Sequence, residues 1–164
     1  MAAKLFVTEE EGASLKVCTD LVEIRTEERV QIIDLTALVA ERVRRSGVFE
    51  GLVCVQSRHT TAAVAVNEDE PLLLEDMKAL LERLVPRSAP YGHDDRRRRA
   101  APLPADESVN GDSHCRALLL GPSQTLTIAG GRLQLGEWQS VFLVELDGPR
   151  KRSLSLVVLG ARRA

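Results

Sequence analysis

The chain has 164 residues, with 22 Lys and Arg against 24 Asp and Glu and a formal net charge of −2. This length predicts a single domain over residues 1–164, whose core needs neither disulfides nor a metal. Without an excess of positive charge, the chain is not expected to bind nucleic acid through counterion release. Its apolar runs are too short to cross a membrane, and residues 1–6 lack the apolar region of a secretory signal. We therefore expect a cytoplasmic protein with neither a nucleic-acid nor a membrane partner.

The three cysteines, Cys18, Cys54 and Cys115, form no C-x-x-C pair. An odd number of unpaired cysteines argues against a disulfide framework and against a cysteine zinc ribbon, so reduced thiols are expected. Cys54 lies in an apolar run, and free cysteine is among the most often buried residues. Cys54 is therefore predicted to pack in the core.

The first third of the chain predicts strands followed by a helix. Apolar and polar residues alternate over residues 4–7 and 14–25, which is typical of β-strands. A helix is predicted over residues 37–45 and should end at Gly47 in a left-handed conformation.

Two β-rich runs, residues 51–56 and 62–66, flank His59. His59 should therefore lie at a strand end or in the following loop. A second helix is predicted to begin near Pro71, which suits a first helical turn. Its apolar residues recur at helical spacing and are predicted to form core: Leu73, Leu74, Met77, Leu80, Leu81 and Leu84.

Residues 85–112 form an irregular segment with several prolines and an arginine run at residues 96–99. A segment of this length without regular structure is usually functional or disordered. The arginine run indicates a solvated loop, or recruitment of a phosphate-bearing substrate or a neighbouring subunit. Asp112 or Ser113 can then cap a short helix that continues through residues 117–120 and ends at Gly121, which would place His114 in its first turn, where anions bind favourably.

The last third is β-rich, with strands predicted over residues 124–128, 132–135, 139–146 and 153–159. Helices interrupt these strands but do not alternate with them, which favours a compact α+β domain with antiparallel packed sheets and two to three helices. No phosphate-binding glycine loop, dinucleotide fingerprint or G-x-S-x-G elbow is present, so no nucleotide cofactor is expected.

The chain's three histidines, His59, His93 and His114, lie in widely separated segments with small or hydrogen-bonding neighbours. Neutral imidazole is a frequent zinc ligand, and imidazolium pairs with phosphate. If the three rings converge, they would form either a metal site or an anion cradle. The alternative is three unrelated polar residues.

The sequence resembles the YjbQ-like family through short motifs that follow one another in order. These motifs are His59-Thr60-Thr61-Ala62, Asn67-Glu68, Tyr91-Gly92-His93, Asn110-Gly111-Asp112-Ser113-His114, Leu120-Gly121-Pro122-Ser123, Leu135-Gly136-Glu137-Trp138-Gln139 and Glu145-Leu146-Asp147-Gly148-Pro149-Arg150. The resemblance implies a β-sandwich core, a homotrimer with sites near subunit contacts, and secondary thiamine-phosphate synthase activity. That reaction joins hydroxymethylpyrimidine diphosphate to thiazole phosphate with loss of diphosphate.

The resemblance also suggests roles for individual residues in binding a small phosphorylated substrate. Catalytic candidates are His59, His93, His114, Asn67, Glu68 and Asp112, and substrate-binding candidates are Thr60, Thr61, Arg150 and Trp138. The three histidines are the candidate ligands if a divalent metal, Zn or Mg, is bound. Structural alternatives remain open: helix or turn capping for Asn67, Glu68 and Asp112, buried packing or a trimer contact for Trp138, and a hairpin turn for residues 147–150.

Two other functional classes fit the same residues. Three histidines with an open coordination position would activate water, as in a metal-dependent hydrolase. The chain would otherwise be a non-catalytic trimeric binding protein for a phosphorylated metabolite.

Overall fold

A computed structural model describes residues 15–99 and 108–163. The strand predicted over residues 4–7 lies outside the described residues. The elements are strands β1 (Leu15–Arg25) and β2 (Gln31–Asp34), helix α1 (Thr36–Ser46), strands β3 (Val48–Ser57) and β4 (Ala62–Asn67), helix α2 (Pro71–Leu84), 3-10 helices at Gly92–Asp94 and Arg96–Arg98, helix α3 (Gly111–Leu120), and strands β5 (Ser123–Ala129), β6 (Arg132–Leu133), β7 (Ser140–Glu145) and β8 (Lys151–Arg162).

The strands form two antiparallel sheets. The five-stranded sheet has the order β1-β8-β3-β5-β6, and the three-stranded sheet has the order β2-β7-β4. Together with the three α-helices, these sheets confirm the predicted α+β class with packed antiparallel sheets. No helix in the described part of the chain is long and apolar enough to span a bilayer.

The main core lies between the two sheets and is closed by α1. Alternate residues of β8, including Leu154, Leu156 and Val158, are buried against β4 and β7 residues such as Val64 and Leu143. Burying one such side chain contributes about 1.5–3 kcal/mol before the loss of chain entropy is counted. The period-two pattern of β8 thus fixes which face of the five-stranded sheet points inward.

A second apolar cluster covers the opposite face of the three-stranded sheet. Phe142 and Val144 of β7 pack there with Leu81 of α2 and Ala117 of α3. Because β7 is covered on both faces, Val141 to Glu145 are all buried. This layer positions α3 beside the end of β4.

Local signals explain the helix ends. Gly47 ends α1 with φ 68°, a left-handed conformation in which glycine avoids strain. Glu70 precedes α2, and its carboxylate accepts hydrogen bonds from the amides of Leu72 and Leu73 at 3.0 and 2.7 Å. Pro71 occupies the first turn, as predicted.

Three structural predictions from the sequence are wrong in part. The apolar residues of α2 are not all core, because Leu80 and Leu84 are exposed and only Leu81 of that set is fully buried. Cys54 is half-buried on the face of β3 opposite to Val53 and Val55, since side chains alternate along a strand. Residues 147–150 do not form a hairpin, because β7 and β8 belong to different sheets.

Candidate functional site

His59 lies in the segment where the chain passes from one sheet to the other. β3 ends at Ser57 in the five-stranded sheet, and β4 begins at Ala62 in the three-stranded sheet. The amide of Arg58 donates to the carbonyl of Ser153 on β8 at 3.2 Å. The amide of Ser153 in turn donates to Nε2 of His59 at 2.7 Å, so this imidazole takes the place of a carbonyl at the end of the β3–β8 pairing.

The surroundings of His59 disfavour a charged ring. Burial lowers the pKa of His59, and the nearby guanidinium of Arg152 lowers that pKa further, while Glu145 opposes this effect. The hydroxyl of Ser153 also lies 3.1 Å from Nε2. His59 is therefore a neutral side chain at neutral pH, because its ordinary pKa of about 6.5 is already below 7.

A buried ion pair lies beneath this segment. Glu145 is 0% exposed and Arg152 is 3% exposed. Nε of Arg152 lies 2.6 Å from Oε2 of Glu145, and Nη2 contacts Oε1. The same Nη2 donates to the hydroxyl of Thr61 at 3.0 Å, which fixes the residue just before β4. Thr61 is thus held inside the protein and is not presented to a ligand.

Both oxygens of the Glu145 carboxylate accept hydrogen bonds from within the protein. The carboxylate accepts the amides of Leu146 and Asp147 at 2.9 and 2.8 Å and the hydroxyl of Thr26 at 2.9 Å. Burial raises the pKa of Glu145, but the hydrogen bonds from Arg152 and the Asp147 amide lower it by more, so the net pKa is below its ordinary value. The group is held ionised.

His93 and His114 form a direct ring contact. Their ring centroids are 4.6 Å apart with an interplanar angle of 59°. His93 belongs to the 3-10 turn at residues 92–94, and His114 lies in the first turns of α3. Nε2 of His93 is buried and has no hydrogen-bond partner. The contact joins two of the three predicted histidines.

The turn carrying His93 also caps α3. Oδ1 of Asp94 accepts hydrogen bonds from the amides of Asn110 and Gly111 at 3.1 and 2.9 Å. A Cβ at Gly111 would lie 2.4 Å from Cβ of Tyr91, so only glycine allows this close approach. Two amides at the start of α3 are therefore already bound by the carboxylate of Asp94, and neither Asp112 nor Ser113 is the cap.

A second polar network holds two further predicted residues. Asp112 is buried and pairs with Arg29 at 2.9 Å. Arg150 pairs with the buried carboxylate of Asp147 at 2.7 Å and donates to the hydroxyl of Ser108 at 2.8 Å. Asp112 and Arg150 therefore already have protein partners of opposite charge.

A surface cavity of about 520 Å³ lies beside His59 and His114. It is lined by Gln56, Ser57, Arg58, His59, Thr60, Ala62, His114, Ala117, Leu118 and Pro122. Part of this lining is polar, through the cationic Arg58 and the imidazoles of His59 and His114. The other part is apolar, through Ala117, Leu118 and Pro122. A cavity of this size and mixed lining suits a small molecule with a ring and an anionic group.

The structure brings only some of the predicted residues together. His59, Thr60 and His114 line the cavity, whereas His93 lies outside this lining and contacts the ring of His114. Four others lie outside the described lining: Thr61, Asp112 and Arg150 in the polar networks, and Asn67, whose side chain accepts the amide of Glu68. Glu68 is half-buried outside the same lining.

Trp138 is 67% exposed and is absent from the described lining of the cavity. Its predicted burial within the chain is wrong, while a trimer contact stays a prediction. Arg58, Gln56 and Leu118 line the cavity but are not among the residues predicted from the sequence. Arg58 directly precedes His59 and could have been chosen for its charge, whereas the position of Leu118 depends on how α3 packs.

The histidines do not fit a three-histidine metal centre in this arrangement. Nε2 of His59 already accepts the amide of Ser153. Coordination through Nδ1 would then require the ring to lose its remaining proton, whereas metal-bound histidine is ordinarily neutral. Within residues 15–99 and 108–163, no group of three or more His, Cys, Asp or Glu side chains is arranged to hold a metal ion.

The chain is similar to a group of proteins from archaea and bacteria. Residues 20–161 match a family described as UPF0047 protein YjbQ-like. A UPF0047 protein from Methanothermobacter thermautotrophicus is 42% identical over 149 residues, covering 91% of this chain and 96% of the relative. A solved YbjQ-like protein of unknown function from Sulfolobus solfataricus P2 has a TM-score of 0.80 and 31% identity, covering 90% of this chain and 99% of that chain. A hypothetical protein from Aeropyrum pernix K1 has a TM-score of 0.76 and 38% identity, covering 87% and 98%.

Proposed function

The chain belongs to the YjbQ-like UPF0047 family, and on that basis we propose that it is a transferase of the thiamine-phosphate synthase type. The proposed reaction joins hydroxymethylpyrimidine diphosphate to thiazole phosphate and releases diphosphate. The observation that carries this proposal is the 520 Å³ cavity, whose lining combines the cationic Arg58 and hydrogen-bonding side chains with apolar side chains. Small phosphorylated ring compounds likewise combine a charged phosphate group with a largely apolar ring.

The polar part of the cavity suits the leaving group. Displacement of diphosphate builds negative charge on the departing oxygens, which preorganised donors stabilise. Arg58 and His59 supply such donors beside Thr60, and His114 lies on the same cavity. Arginine is the side chain best suited to bind phosphate through two parallel hydrogen bonds.

The apolar part suits an aromatic ring. Leu118 and Pro122 form this wall with Ala117. The nitrogen of the thiazole ring is itself the nucleophile in the proposed reaction, so no covalent enzyme residue is needed. Catalysis would then rest on holding the two rings in line and on neutralising diphosphate.

We also propose a homotrimer with its sites near subunit contacts. Apolar side chains are exposed in a row across three strands of the five-stranded sheet, where Val17 pairs with Leu159 and Leu159 pairs with Leu52. Leu118 at the edge of the cavity is 84% exposed. Monomeric proteins rarely leave large contiguous apolar patches in water. The apolar row therefore supports a partner subunit against the exposed face of the five-stranded sheet.

One observation favours a second function, a non-catalytic binding protein for a phosphorylated metabolite. Nε2 of His59 is engaged by the backbone of β8 and is not available for proton transfer. The cavity then offers groups that bind phosphate more clearly than groups that transfer protons. The metal-dependent hydrolase has no comparable support, because His59 does not fit as a neutral ligand.

The test combines ligand binding with turnover. Wild-type protein is expected to be stabilised by hydroxymethylpyrimidine diphosphate and thiazole phosphate in thermal-shift measurements and to form thiamine phosphate. Arg58→Gln should weaken both effects, whereas Arg132→Gln, the same change at an exposed arginine outside the described cavity lining, should leave both unchanged. Binding without turnover would favour the non-catalytic alternative. If neither hydroxymethylpyrimidine diphosphate nor thiazole phosphate binds, the proposed site is contradicted.

A further inference from the structure

The hydrogen bond between Ser153 and His59 determines which ring nitrogen carries the proton. We propose that His59 is held as the neutral Nδ1–H tautomer and that Nδ1–H is a fixed hydrogen-bond donor to a phosphate or diphosphate oxygen in the cavity. This inference rests on the proposed phosphate-binding function of the cavity. It deepens that function by assigning His59 a donor role distinct from that of a cation or a metal ligand.

The proton assignment follows from the chemistry of the backbone. An amide N–H donates and cannot accept, and the Ser153 amide nitrogen lies 2.7 Å from Nε2 of His59. Nε2 must therefore carry a lone pair in this arrangement. Because a neutral imidazole has one N–H, that hydrogen is on Nδ1. The hydroxyl of Ser153, 3.1 Å from Nε2, can donate to the same lone pair.

The ring is also fixed in orientation. The carbonyl of Ser153 accepts the amide of Arg58, so both backbone groups of Ser153 are bound to residues 58 and 59. Flipping the imidazole would break the bond to Nε2 and leave a partly buried amide without its partner. Leaving a buried donor unsatisfied costs free energy, which keeps one orientation of the ring dominant.

Nδ1 is the ring nitrogen that remains for a ligand. His59 lines the cavity, and Nδ1 has no hydrogen-bond partner among the described residues. A neutral N–H suits an oxygen that carries negative charge and has no proton to give, such as a phosphate oxygen. The same N–H repels a metal cation. Burial and the cation of Arg152 lower the pKa of His59, which supports the neutral form.

The neutral donor complements Arg58 in this pocket. Arg58 supplies a full positive charge and a rigid set of N–H groups, whereas His59 supplies one N–H donor of fixed orientation on a neutral ring. Thr60 lies on the same lining and can donate a hydroxyl hydrogen. Together these groups describe a site for a multiply charged oxyanion, with one cationic and two neutral donors.

The tautomer is measured directly by long-range proton–nitrogen NMR on the full chain labelled with nitrogen-15. Only three histidines contribute signals, and His59→Gln identifies those of His59 by their loss. At pH 7.5 we expect the protonated nitrogen of His59 to be Nδ1 and the unprotonated one to be Nε2. A protonated Nε2, or averaging between the two tautomers, would overturn the proposal.

Ligand additions test the donor role. Inorganic diphosphate should shift the Nδ1 signal of His59 while that nitrogen keeps its proton, and Zn²⁺ should leave the signal unchanged. Loss of the Nδ1 proton on adding Zn²⁺ would overturn the donor assignment in favour of coordination. Failure of diphosphate to bind or to shift His59 would overturn the phosphate ligand. Diphosphate binding through His59 without thiamine-phosphate formation would instead refute the proposed transferase and support this inference.

Two variants of similar size separate the donor from simple packing. Gln at position 59 can accept from Ser153 with its carbonyl and donate with its amide, whereas Leu can do neither. His59→Leu should weaken diphosphate binding about tenfold, which corresponds to about 1.4 kcal/mol, and His59→Gln should weaken it much less. If both variants fold and lose the same amount of diphosphate affinity, the donor role of His59 is contradicted.

Discussion

The carboxylate of Asp94 accepts the amide of Gly111 at 2.9 Å and so begins α3. The residue before Asp94 is His93, whose ring contacts His114 in the same helix. One short turn therefore closes the helix end and places one histidine against another. The start of α3 and the His93–His114 contact should depend on the same carboxylate.

Asp94→Ala is expected to lower the free energy of unfolding by about 0.5–2 kcal/mol, the usual range for losing a helix-capping side chain. Asp94→Asn should lose less stability, because the side-chain carbonyl oxygen of Asn can still accept hydrogen bonds from the amides of Asn110 and Gly111. Urea unfolding measures both changes, and Asp69→Ala, an exposed carboxylate elsewhere, is the control. An Asp94→Ala variant as stable as the control would contradict the capping role.

Breaking the buried Glu145–Arg152 pair should be strongly destabilising. Arg152→Met leaves the buried carboxylate of Glu145 without its counter-charge, which typically costs about 3–5 kcal/mol. Glu145→Gln should be similarly harmful because it leaves a buried guanidinium. The double variant Glu145→Leu with Arg152→Met should be more stable than the sum of single changes predicts, because no charge is left unpaired. Strict additivity would show that the two groups do not interact.

Stability should fall in two steps as the pH decreases. The folded pKa of His59 is below its unfolded value of about 6.5, so protonation below that pH favours the unfolded chain. The folded pKa of Asp147 is also lowered, because hydrogen bonds from Asn110, Ser108 and Arg150 outweigh the effect of burial. Its contribution, with that of Glu145, is present above about pH 4 and is lost below it.

Urea unfolding between pH 8 and pH 3 checks both steps. The step near pH 6 should be absent in His59→Gln, which has no titrating ring at that position, while the acidic step should remain. A step near pH 6 that persists in this variant would contradict the assignment to His59.

The assembly prediction can be checked by sedimentation. Wild-type protein at micromolar concentration should sediment as a trimer with three times the 18.0 kDa mass of one chain. Leu159→Lys places a charge within the exposed apolar row and should favour the monomer. Leu159→Met keeps the surface apolar and should remain a trimer. A wild-type monomer would contradict the proposal.

Much of the fold could be predicted because strands carry local patterns. The alternation over residues 153–159 and 14–25 identifies β8 and β1, whose side chains do alternate between the two faces. The alternation of apolar and polar residues along a strand does not show which sheet that strand joins. Residues 147–150 therefore suggested a hairpin turn, although in the structure they connect strands of different sheets.

The site was less predictable because its main contacts are distant in sequence. The amide that binds His59 comes from Ser153, 94 residues later, and nothing near His59 indicates this partner. The exposure of Leu80 and Leu84 was missed for a related reason. A helical stripe shows which face of a helix is apolar, but it does not show whether another element of the chain covers that face.

The position of β8 affects how the protein can be made. This last strand lies between β1 and β3, with Leu15 paired to Ala161 and Ser57 paired to Leu154. A nascent chain that has not yet released β8 from the ribosome exposes two strand edges and cannot position His59. Folding of the larger sheet must wait until β8 has left the ribosome, and such long-range pairing is intrinsically slow. Premature termination before β8 should therefore yield an aggregation-prone chain, not a smaller working domain.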